Sequence, residues 1–339
     1  MQLPEPRILI VRLGAFGDVA MASALLQAIR NSTPKAHVTW VCGARVRDLV
    51  ALLDVDEIIV VDDAALFGAA SWARARALWQ AIRALAGKRF DLAVLAHLDA
   101  RYRVLLWAVR ARRTRLWSRV PSLETNPIPG RSYSDEYGRI FDADRLSRGP
   151  IEGHFPLADV RGKLPAATED FGSSCVALVP GGSRNLLSEN SHRRWPVERY
   201  AELARALIAQ GRRVVLVGDH GDTWVRPAFK GVAVDDRIGA YTLTDTLSLF
   251  ASAGAVVSHD TGPLHLARLV RAPLVALFGP TMPREFVNQD ERTVVLWGGD
   301  WLACRPCYNG RYFAQCDNHL CMKDISVSQV SAAVAQLAG

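Results

Sequence analysis

The sequence contains no apolar run long enough to span a lipid bilayer. A membrane-spanning helix needs roughly 20 consecutive, mostly apolar residues, and charged residues interrupt every apolar stretch of this chain before that length. The N-terminal stretch also lacks the basic and then apolar pattern of a signal peptide, because Arg7 and Arg12 bracket its first apolar run. We therefore expect a cytoplasmic protein.

Two common nucleotide-binding signatures are also missing. Neither half of the chain contains G-x-G-x-x-G, the phosphate-binding turn of many dinucleotide-dependent dehydrogenases, or G-x-x-x-x-G-K-[ST], the loop of P-loop NTPases. These absences argue against a hydride-transfer enzyme and against a P-loop NTPase.

The length and charge of the chain suggest two domains of different character. A chain of 339 residues is longer than one hydrophobic core usually supports, and its 50% hydrophobic and 22% charged residues are ordinary for a globular protein. Residues 1–165 hold 24 Lys and Arg against 17 Asp and Glu, whereas residues 166–339 hold 17 of each. The whole net charge of +7 therefore lies in the first half, which favours an acidic partner for that half or a solvated arginine-rich surface.

Strand and helix patterns alternate in both halves, as in parallel βαβ folds. In the first half, short apolar runs predict strands and amphipathic patterns predict helices. These are strands Ile8–Leu13, Val38–Cys42, Ile58–Val61 and Leu92–Leu95 and helices Val19–Arg30, Arg45–Leu53, Trp72–Ala86 and Tyr102–Arg110. The pattern fades over Ser118–Lys163 and then restarts. The later elements are strands Val176–Val179, Val214–Val217, Ala255–Ser258 and Leu274–Phe278 and helices Val197–Gln210, Thr244–Ala253, Pro263–Val270 and Ser326–Leu337.

These patterns predict an α/β protein with two tandem Rossmann-like, doubly wound domains that face each other across a cleft. We place the N-terminal domain at residues 1–165, the C-terminal domain at 166–325, and a final helix at 326–339 that packs back on the N-terminal domain.

Asp18 is the first candidate for a functional side chain. It lies in "RILIVRLGAFGDVAMASALLQAIR", where an apolar strand leads through a glycine-flanked turn into a helix. A carboxylate is favoured at a helix N-terminus for structural reasons alone. The carboxyl end of a strand is also where open α/β sheets place their ligands, so Asp18 is equally a candidate catalytic carboxylate.

Four glycine-containing loops follow strands in the second half and suggest a nucleotide site. They are "LVPGGSRN", "LVGDHGD", "VVSHDTGPLHLA" and "LFGPT". Glycine allows close approach of a backbone to a ligand, and the N–H groups at a helix start suit a diphosphate. In the third loop, Asp260 and Thr261 end a strand, Gly262 begins a turn and His265 lies in the first turn of a helix. We interpret these residues as ligand-binding, although Asp260 is also a candidate helix cap and His265 a candidate core histidine.

Taken together, these segments resemble glycosyltransferase family 9, the ADP-heptose:lipopolysaccharide heptosyltransferases and their relatives. The resemblance rests on the Asp18 segment, on "VPGG" with "HRRWPVERYAELA", on "VVSHDTGPLHLA" with "VALFGPT", and on "CRPCYNGRYFAQCDNHLCMKDIS". It covers nearly the whole chain. It implies a GT-B fold and an inverting, metal-independent transfer of a sugar, heptose from ADP-heptose, to a lipopolysaccharide-core or related glycan.

The resemblance also assigns roles to single residues. Asp18 is placed as the general base, and Arg12 and Gly17 match acceptor-binding positions. An anionic glycolipid or glycan is the implied acceptor, with peripheral contact at the inner membrane surface and no nucleic acid partner. The donor-binding positions are Gly181, Gly182, Arg193, Arg194, Asp260, Thr261, Gly262 and His265. The longer loop "SRNLLSEN" leaves open whether Arg184, Arg193 or Arg194 meets the phosphates.

Four cysteines form a cluster near the C-terminus. Cys304, Cys307, Cys316 and Cys321 have the spacing C-x₂-C-x₈-C-x₄-C, which does not match the best-known zinc motifs. Clustered cysteines in a cytosolic chain are reduced thiols or metal ligands more often than disulfides. A structural zinc or iron ion is thus a candidate, while no cofactor is expected to be required for catalysis.

Two alternatives to a transferase remain open from the residues alone. A sugar-nucleotide epimerase of the same fold would act on the donor and need no basic acceptor domain. A non-catalytic nucleic-acid-binding protein is suggested by the basic and aromatic stretch "RYRVLLWAVRARRTRLWSR". That alternative leaves the glycine loops of the second half without a use.

Overall fold

The structure is a computed structural model in which the chain divides into two compact units, residues 1–158 and 159–339. The division falls shortly before the boundary placed at residue 165. Described residues are 5–68, 71–98, 100–117, 128, 130–141, 155–165, 169, 171–184, 189–309 and 312–338.

The first unit is built on a five-stranded parallel sheet. Its order is β3-β2-β1-β4-β5, so the three inner strands β2, β1 and β4 each pair with a strand on both sides. The strands are β1 (Arg7–Val11), β2 (His37–Gly43), β3 (Glu57–Val61), β4 (Arg89–Leu95) and β5 (Arg110–Leu116). Four consecutive apolar residues of β1, Ile8 to Val11, are buried, as expected for a parallel strand packed on both faces.

Helices cover this sheet between the strands. They are α1 (Phe16–Ser32), α2 (Arg47–Ala51), α3 (Asp63–Gly68), α4 (Ser71–Leu85) and α5 (Tyr133–Phe141), with a 3-10 helix at Ala100–Leu106. Helix α1 is buried along most of its length and packs against α5. Of the irregular region Ser118–Lys163, most residues lie outside the described part of the chain, and α5 is its main described element.

The second unit contains a six-stranded parallel sheet of order β11-β10-β9-β6-β7-β8. Its strands are β6 (Cys175–Val179), β7 (Arg213–Leu216), β8 (Asp235–Asp236), β9 (Ala255–His259), β10 (Leu274–Phe278) and β11 (Thr293–Trp297). The strands β6, β9 and β10 are buried at every position. Because these strands run parallel, their carboxyl ends meet at one edge of the sheet, where the glycine loops begin.

The helices of the second unit complete its core. They are α6 (Val197–Ala209), α7 (Leu243–Ser252), α8 (Gly262–Leu269), α9 (Pro283–Phe286), α10 (Leu320–Asp324) and α11 (Val327–Leu337). The final helix α11 packs against α6 and the sheet, and Val330, Ala333 and Val334 belong to the core of this unit. Its apolar face is thus occupied within the second unit.

The observed elements differ from the sequence patterns mainly at sheet edges. The predicted helix Tyr102–Arg110 is wrong over its second half: a 3-10 helix ends at Leu106 and the edge strand β5 begins at Arg110. The strands β8 and β11 were not predicted. The edge strands β5 and β8 lack the continuous apolar run of a central strand, since β5 is rich in arginine and β8 consists of two aspartates. The edge strand β11 is apolar and was missed despite that pattern.

Two parallel-sheet α/β domains in tandem agree with the predicted fold class. Across the described ranges, no helix combines the length and the apolar composition that crossing a bilayer requires.

Candidate active site

Asp18 lies in the first turn of α1, directly after the carboxyl end of β1 and its connecting turn. Its Oδ2 accepts a hydrogen bond from the Ala15 backbone N–H at 3.1 Å, so the carboxylate caps the helix as the sequence allows. The same oxygen forms an ion pair with Arg12. The Asp18 side chain is nevertheless 42% exposed, so it is both structurally held and accessible to a substrate.

Arg12 is buried beneath Asp18, with a residue exposure of 5%. Its guanidinium donates to the Ala96 carbonyl oxygen at 2.9 Å, and it lies over the Tyr137 ring at 5.9 Å from the centroid. Burial alone would lower the pKa of Arg12, but the Asp18 carboxylate, Tyr137 and Tyr102 raise it above its ordinary value. Arg12 therefore stays charged and holds Asp18 in place, while its contact with an acceptor stays a prediction. Gly17, the other predicted acceptor-binding residue, is buried in the same helical turn.

The first donor loop follows β6 and requires both of its glycines. A side chain at Gly181 would collide with Asp222, and a Cβ at Gly182 would lie 2.6 Å from the Thr261 Oγ1. Gly182 also has a φ of 81°, in the left-handed region that glycine favours. Its backbone N–H donates to Asp222 at 2.8 Å, and the N–H of Ser183 donates to the Thr261 hydroxyl at 2.8 Å. The loops after three different strands are therefore bonded together.

Asp260 contacts both the loop that follows β10 and the side chain of Arg193. The carboxylate is buried; it accepts a hydrogen bond from Thr281 at 2.8 Å and is paired with Arg193 at 3.3 Å. Thr261 is the N-cap residue of α8, and Gly262 begins that helix. A helix N-terminus of this kind presents backbone N–H groups that suit a negatively charged ligand.

The three arginines of the longer loop have different environments. Arg194 donates to the Gly182 carbonyl at 2.7 and 3.0 Å and to Glu189 at 2.7 Å, so its guanidinium fastens the glycine loop. Arg184 is exposed and pairs with Asp219 at 3.0 Å. Arg193 is largely buried and faces Asp260, with its guanidinium 5.8 Å from the Phe313 ring centroid.

Several buried polar atoms around these loops lack a partner. Within the described part of the chain, no hydrogen-bond partner is found for Ser183 Oγ, Arg193 Nε or His265 Nδ1. An unsatisfied buried polar group costs about 1–3 kcal/mol, and a bound polar ligand would remove that cost. The three atoms come from the first glycine loop, the arginine segment and α8, which are the segments that sequence analysis assigned to the donor.

Two histidines of the second unit are buried in the neutral form. Burial, with Arg193 and Arg194 nearby, lowers the pKa of His259 to about 3. Burial and the charges of Arg268 and Arg193 hold the pKa of His265 well below its ordinary value. His265, which was predicted to bind the donor, can therefore contribute a hydrogen bond but no positive charge.

The buried His259 makes the stability of the protein depend on pH. In the unfolded chain this group takes up a proton below about pH 6.5, whereas in the folded protein its pKa is about 3. The stability that comes from keeping His259 neutral is therefore fully present above pH 6.5 and is lost as the pH falls towards 3. The free energy of unfolding changes over that range by up to ~1.36 kcal/mol per pH unit. We expect His259→Gln to flatten the fall in the free energy of unfolding between about pH 7 and about pH 5, measured by urea titration. A slope for His259→Gln equal to that of the parent protein would contradict the prediction.

The four clustered cysteines are free thiols: three precede helix α10 and Cys321 lies within it, next to the loop that follows β10. Cys304 and Cys316 are exposed, while burial raises the pKa of Cys307 and of Cys321. Among the residues that the structure describes, no three Cys, His, Asp or Glu side chains converge as a metal ion would require. The thiols as placed thus do not fit the structural zinc or iron ion considered from the sequence.

Several polar residues of the donor loops were not predicted from the sequence. Asp222 and Thr281 bond to Gly182 and Asp260, and Ser183 adds an unpaired hydroxyl. The available signal was their position, since Asp222 and Thr281 both close glycine loops that follow strands. Their partners, however, come from other loops, which a linear pattern does not identify.

Comparison with known proteins shows that the chain is similar to bacterial heptosyltransferases. Residues 154–311 match the profile described as Glycosyltransferase family 9 (heptosyltransferase). Lipooligosaccharide heptosyltransferase 2 of Haemophilus influenzae is 36% identical over 99 residues, a match that spans 27% of this chain and 29% of that protein. Lipopolysaccharide heptosyltransferase 2 of Salmonella typhimurium is 26% identical over 312 residues, covering 82% of this chain and 84% of the relative.

The solved structure of a heptosyltransferase supports the fold. The Escherichia coli heptosyltransferase WaaC, solved with ADP, superposes with a TM-score of 0.74 at 18% identity and covers 97% of this chain and 99% of its own. At that identity the likeness establishes the fold, two parallel-sheet domains of the GT-B class. Together with the profile match over residues 154–311, it shows that the chain is similar to the heptosyltransferases of glycosyltransferase family 9.

Proposed function

We propose that this glycosyltransferase moves a heptose from ADP-heptose to a lipopolysaccharide-core acceptor with inversion at the anomeric carbon. The names of its relatives support the sugar and the acceptor class, and the structure of WaaC with ADP supports the nucleotide. The observation that carries the proposal is Asp18, a half-exposed carboxylate held by a buried arginine at the start of α1. A nucleic-acid-binding protein would give that carboxylate no role, and an epimerase would give no role to an acceptor-binding domain.

Asp18 is proposed as the general base. The acceptor hydroxyl oxygen attacks the anomeric carbon, its proton passes to the Asp18 carboxylate, and the bond from that carbon to the diphosphate oxygen breaks. The electron pair of the broken bond leaves with ADP. A sugar hydroxyl is a poor nucleophile until a base removes its proton, and a positioned base contributes about 10²–10⁴-fold to the rate.

The loops of the second unit are proposed to hold the departing diphosphate. Arg193 has a buried Nε without a partner among the described residues, and the N-terminus of α8 at Gly262 adds backbone N–H groups. Donors fixed before the reaction stabilise the charge that develops on a leaving group without reorganising. Arg194 and Arg184 are occupied by Glu189 and Asp219, so Arg193 is our choice among the three arginines.

Transfer is tested with purified protein, ADP-heptose and a core oligosaccharide from which heptose has been removed. We expect ADP release and a product heavier by one heptose in mass spectrometry, with unchanged rates after EDTA treatment because protein groups stabilise the leaving group. Strict dependence on an added divalent ion would contradict the metal-independent mechanism, and failure with every heptose donor would contradict the proposed sugar. Metal analysis of the same preparation shows whether the cysteines bind zinc or iron.

A further inference from the structure

Helix α4 of the first unit has a core face and an opposite face of unusual composition. Ala77, Ala81 and Leu85 are buried in the core of the first unit. On the opposite face, the spacing of four residues and then three brings Trp72, Arg76, Trp79 and Arg83 into one stripe, because an α-helix turns about 100° per residue. We call these four residues the Trp–Arg stripe.

The two tryptophans of the stripe face solvent. Trp72 is 72% exposed and Trp79 is 58% exposed. The guanidinium of Arg83 lies 5.3 Å from the Trp79 ring centroid, so a cation and an aromatic ring are presented side by side. Single exposed apolar residues are normal on protein surfaces, but two tryptophans aligned with two arginines on one helix need an explanation.

A third exposed tryptophan lies on a neighbouring element. Trp107 is 83% exposed and follows the 3-10 helix Ala100–Leu106, which packs against α4. The edge strand β5 then continues with Arg110 and Arg112, both exposed. The element that packs against α4 thus leads into a further exposed aromatic ring and further positive charge.

The positive charge of α4 favours an anionic partner. The helix carries three arginines and no acidic residue, which complements an anionic surface. Tryptophan rings prefer the boundary between lipid headgroups and acyl chains, since the ring is apolar and its N–H polar. Helices that lie on membranes combine these two features, with aromatic residues on the apolar face and basic residues beside them.

We propose that the Trp–Arg stripe binds the surface of a bilayer that contains anionic phospholipids. The tryptophan rings insert at the headgroup level, and Arg76 and Arg83 contact lipid phosphates. The inference is independent of the proposed transfer reaction, because vesicle binding is measured without donor or acceptor. Its failure would therefore leave the transferase proposal intact, and the reverse also holds.

The test is co-sedimentation of the full chain with vesicles of phosphatidylcholine, alone or mixed with phosphatidylglycerol. We expect binding to the mixed vesicles that weakens with salt. Each of Arg76→Gln and Arg83→Gln should weaken binding by about fivefold, the usual effect of one basic residue at an anionic membrane. The double variant Trp72→Ala/Trp79→Ala should weaken it by at least about tenfold and should remove fluorescence quenching by brominated lipid.

Matched substitutions in the second unit are the controls. Trp301 is 64% exposed and Arg205 is exposed on α6, so Trp301→Ala and Arg205→Gln should bind vesicles like the parent protein. Melting temperatures confirm that each variant is folded. Equal binding to neutral vesicles, unchanged binding of the stripe variants, or a change of oligomeric state in those variants without lipid binding would overturn the proposal; the last result would assign the stripe to self-association.

Discussion

Replacing Asp18 by Asn is expected to lower kcat by a factor of about 10²–10⁴ while the affinity for ADP stays unchanged. The amide keeps the shape of the side chain and an oxygen that accepts the Ala15 N–H, but it cannot take the proton of the acceptor hydroxyl. The effect should therefore fall on turnover, as expected for an interaction made in the transition state. Initial rates at saturating donor and acceptor measure it, and calorimetry with ADP measures the affinity.

The control for this substitution is an aspartate in a different helix of the first unit. Asp48 lies in α2 and pairs with Arg47 at 3.3 Å on the surface, so Asp48→Asn should retain the parent kcat. Because Asp18→Asn also removes the ion pair with Arg12, its melting temperature is measured alongside. A folded Asp18→Asn protein that turns over at the parent rate would reduce Asp18 to a helix-capping residue.

The sequence was sufficient to locate Asp18 but not to describe its surroundings. The strand, the glycine-flanked turn and the helix start were all visible in one segment, and their order places Asp18 at the carboxyl end of β1. The ion pair with Arg12 depends on the path of the turn between Val11 and Phe16, which pattern alone does not determine. Arg12 was assigned to the acceptor from the family resemblance, and that role stays a prediction; its observed bonds are to Asp18 and Ala96.

For the donor loops, too, the positions could be predicted from the sequence but the bonding partners could not. Parallel strands end at one edge of a sheet, so loops that follow β6, β9 and β10 were expected to converge. Which side chains bond to each other depends on the loop conformations, as the separate partners of Arg184, Arg193 and Arg194 illustrate. Three arginines in one segment are equivalent in sequence and become distinct only when Asp219, Asp260 and Glu189 are placed around them.

Secondary structure was predictable in the sheet interior and less so at its edge. Central strands such as β9 are apolar at nearly every position because neighbours and helices cover them. The edge strand β5, "RARRTRL", has four arginines and reads as a continuation of the preceding helical pattern. Its pairing with β4 is a tertiary contact that overrides local propensity.

Replacing Arg193 by Ala is expected to weaken ADP binding by about 10–100-fold and adenosine binding little. A hydrogen bond to a charged group contributes about 1.5–3 kcal/mol, and each 1.4 kcal/mol is tenfold in Kd. Arg193 has a buried Nε without a partner among the described residues, and its only described ion pair is the 3.3 Å contact with Asp260. The loss should therefore follow the phosphates, which adenosine lacks. Calorimetric titration with ADP and with adenosine measures both constants, and UDP and GDP in the same assay test the preference for adenine.

Substitutions of Arg184 and Arg194 are the controls for this prediction. Arg184→Ala removes an equal charge from the surface, where Arg184 pairs with Asp219 at 3.0 Å, and should leave ADP binding close to that of the parent. Arg194→Ala releases the Gly182 carbonyl and Glu189, so we expect a lower melting temperature and weaker binding of both ligands because the whole glycine loop is loosened. Arg193→Lys keeps a cation beside Asp260, which would otherwise be a buried carboxylate without its partner, and should recover part of the ADP affinity. Equal losses for ADP and adenosine in a folded Arg193→Ala protein, or the full loss in Arg184→Ala, would remove Arg193 from the phosphate site.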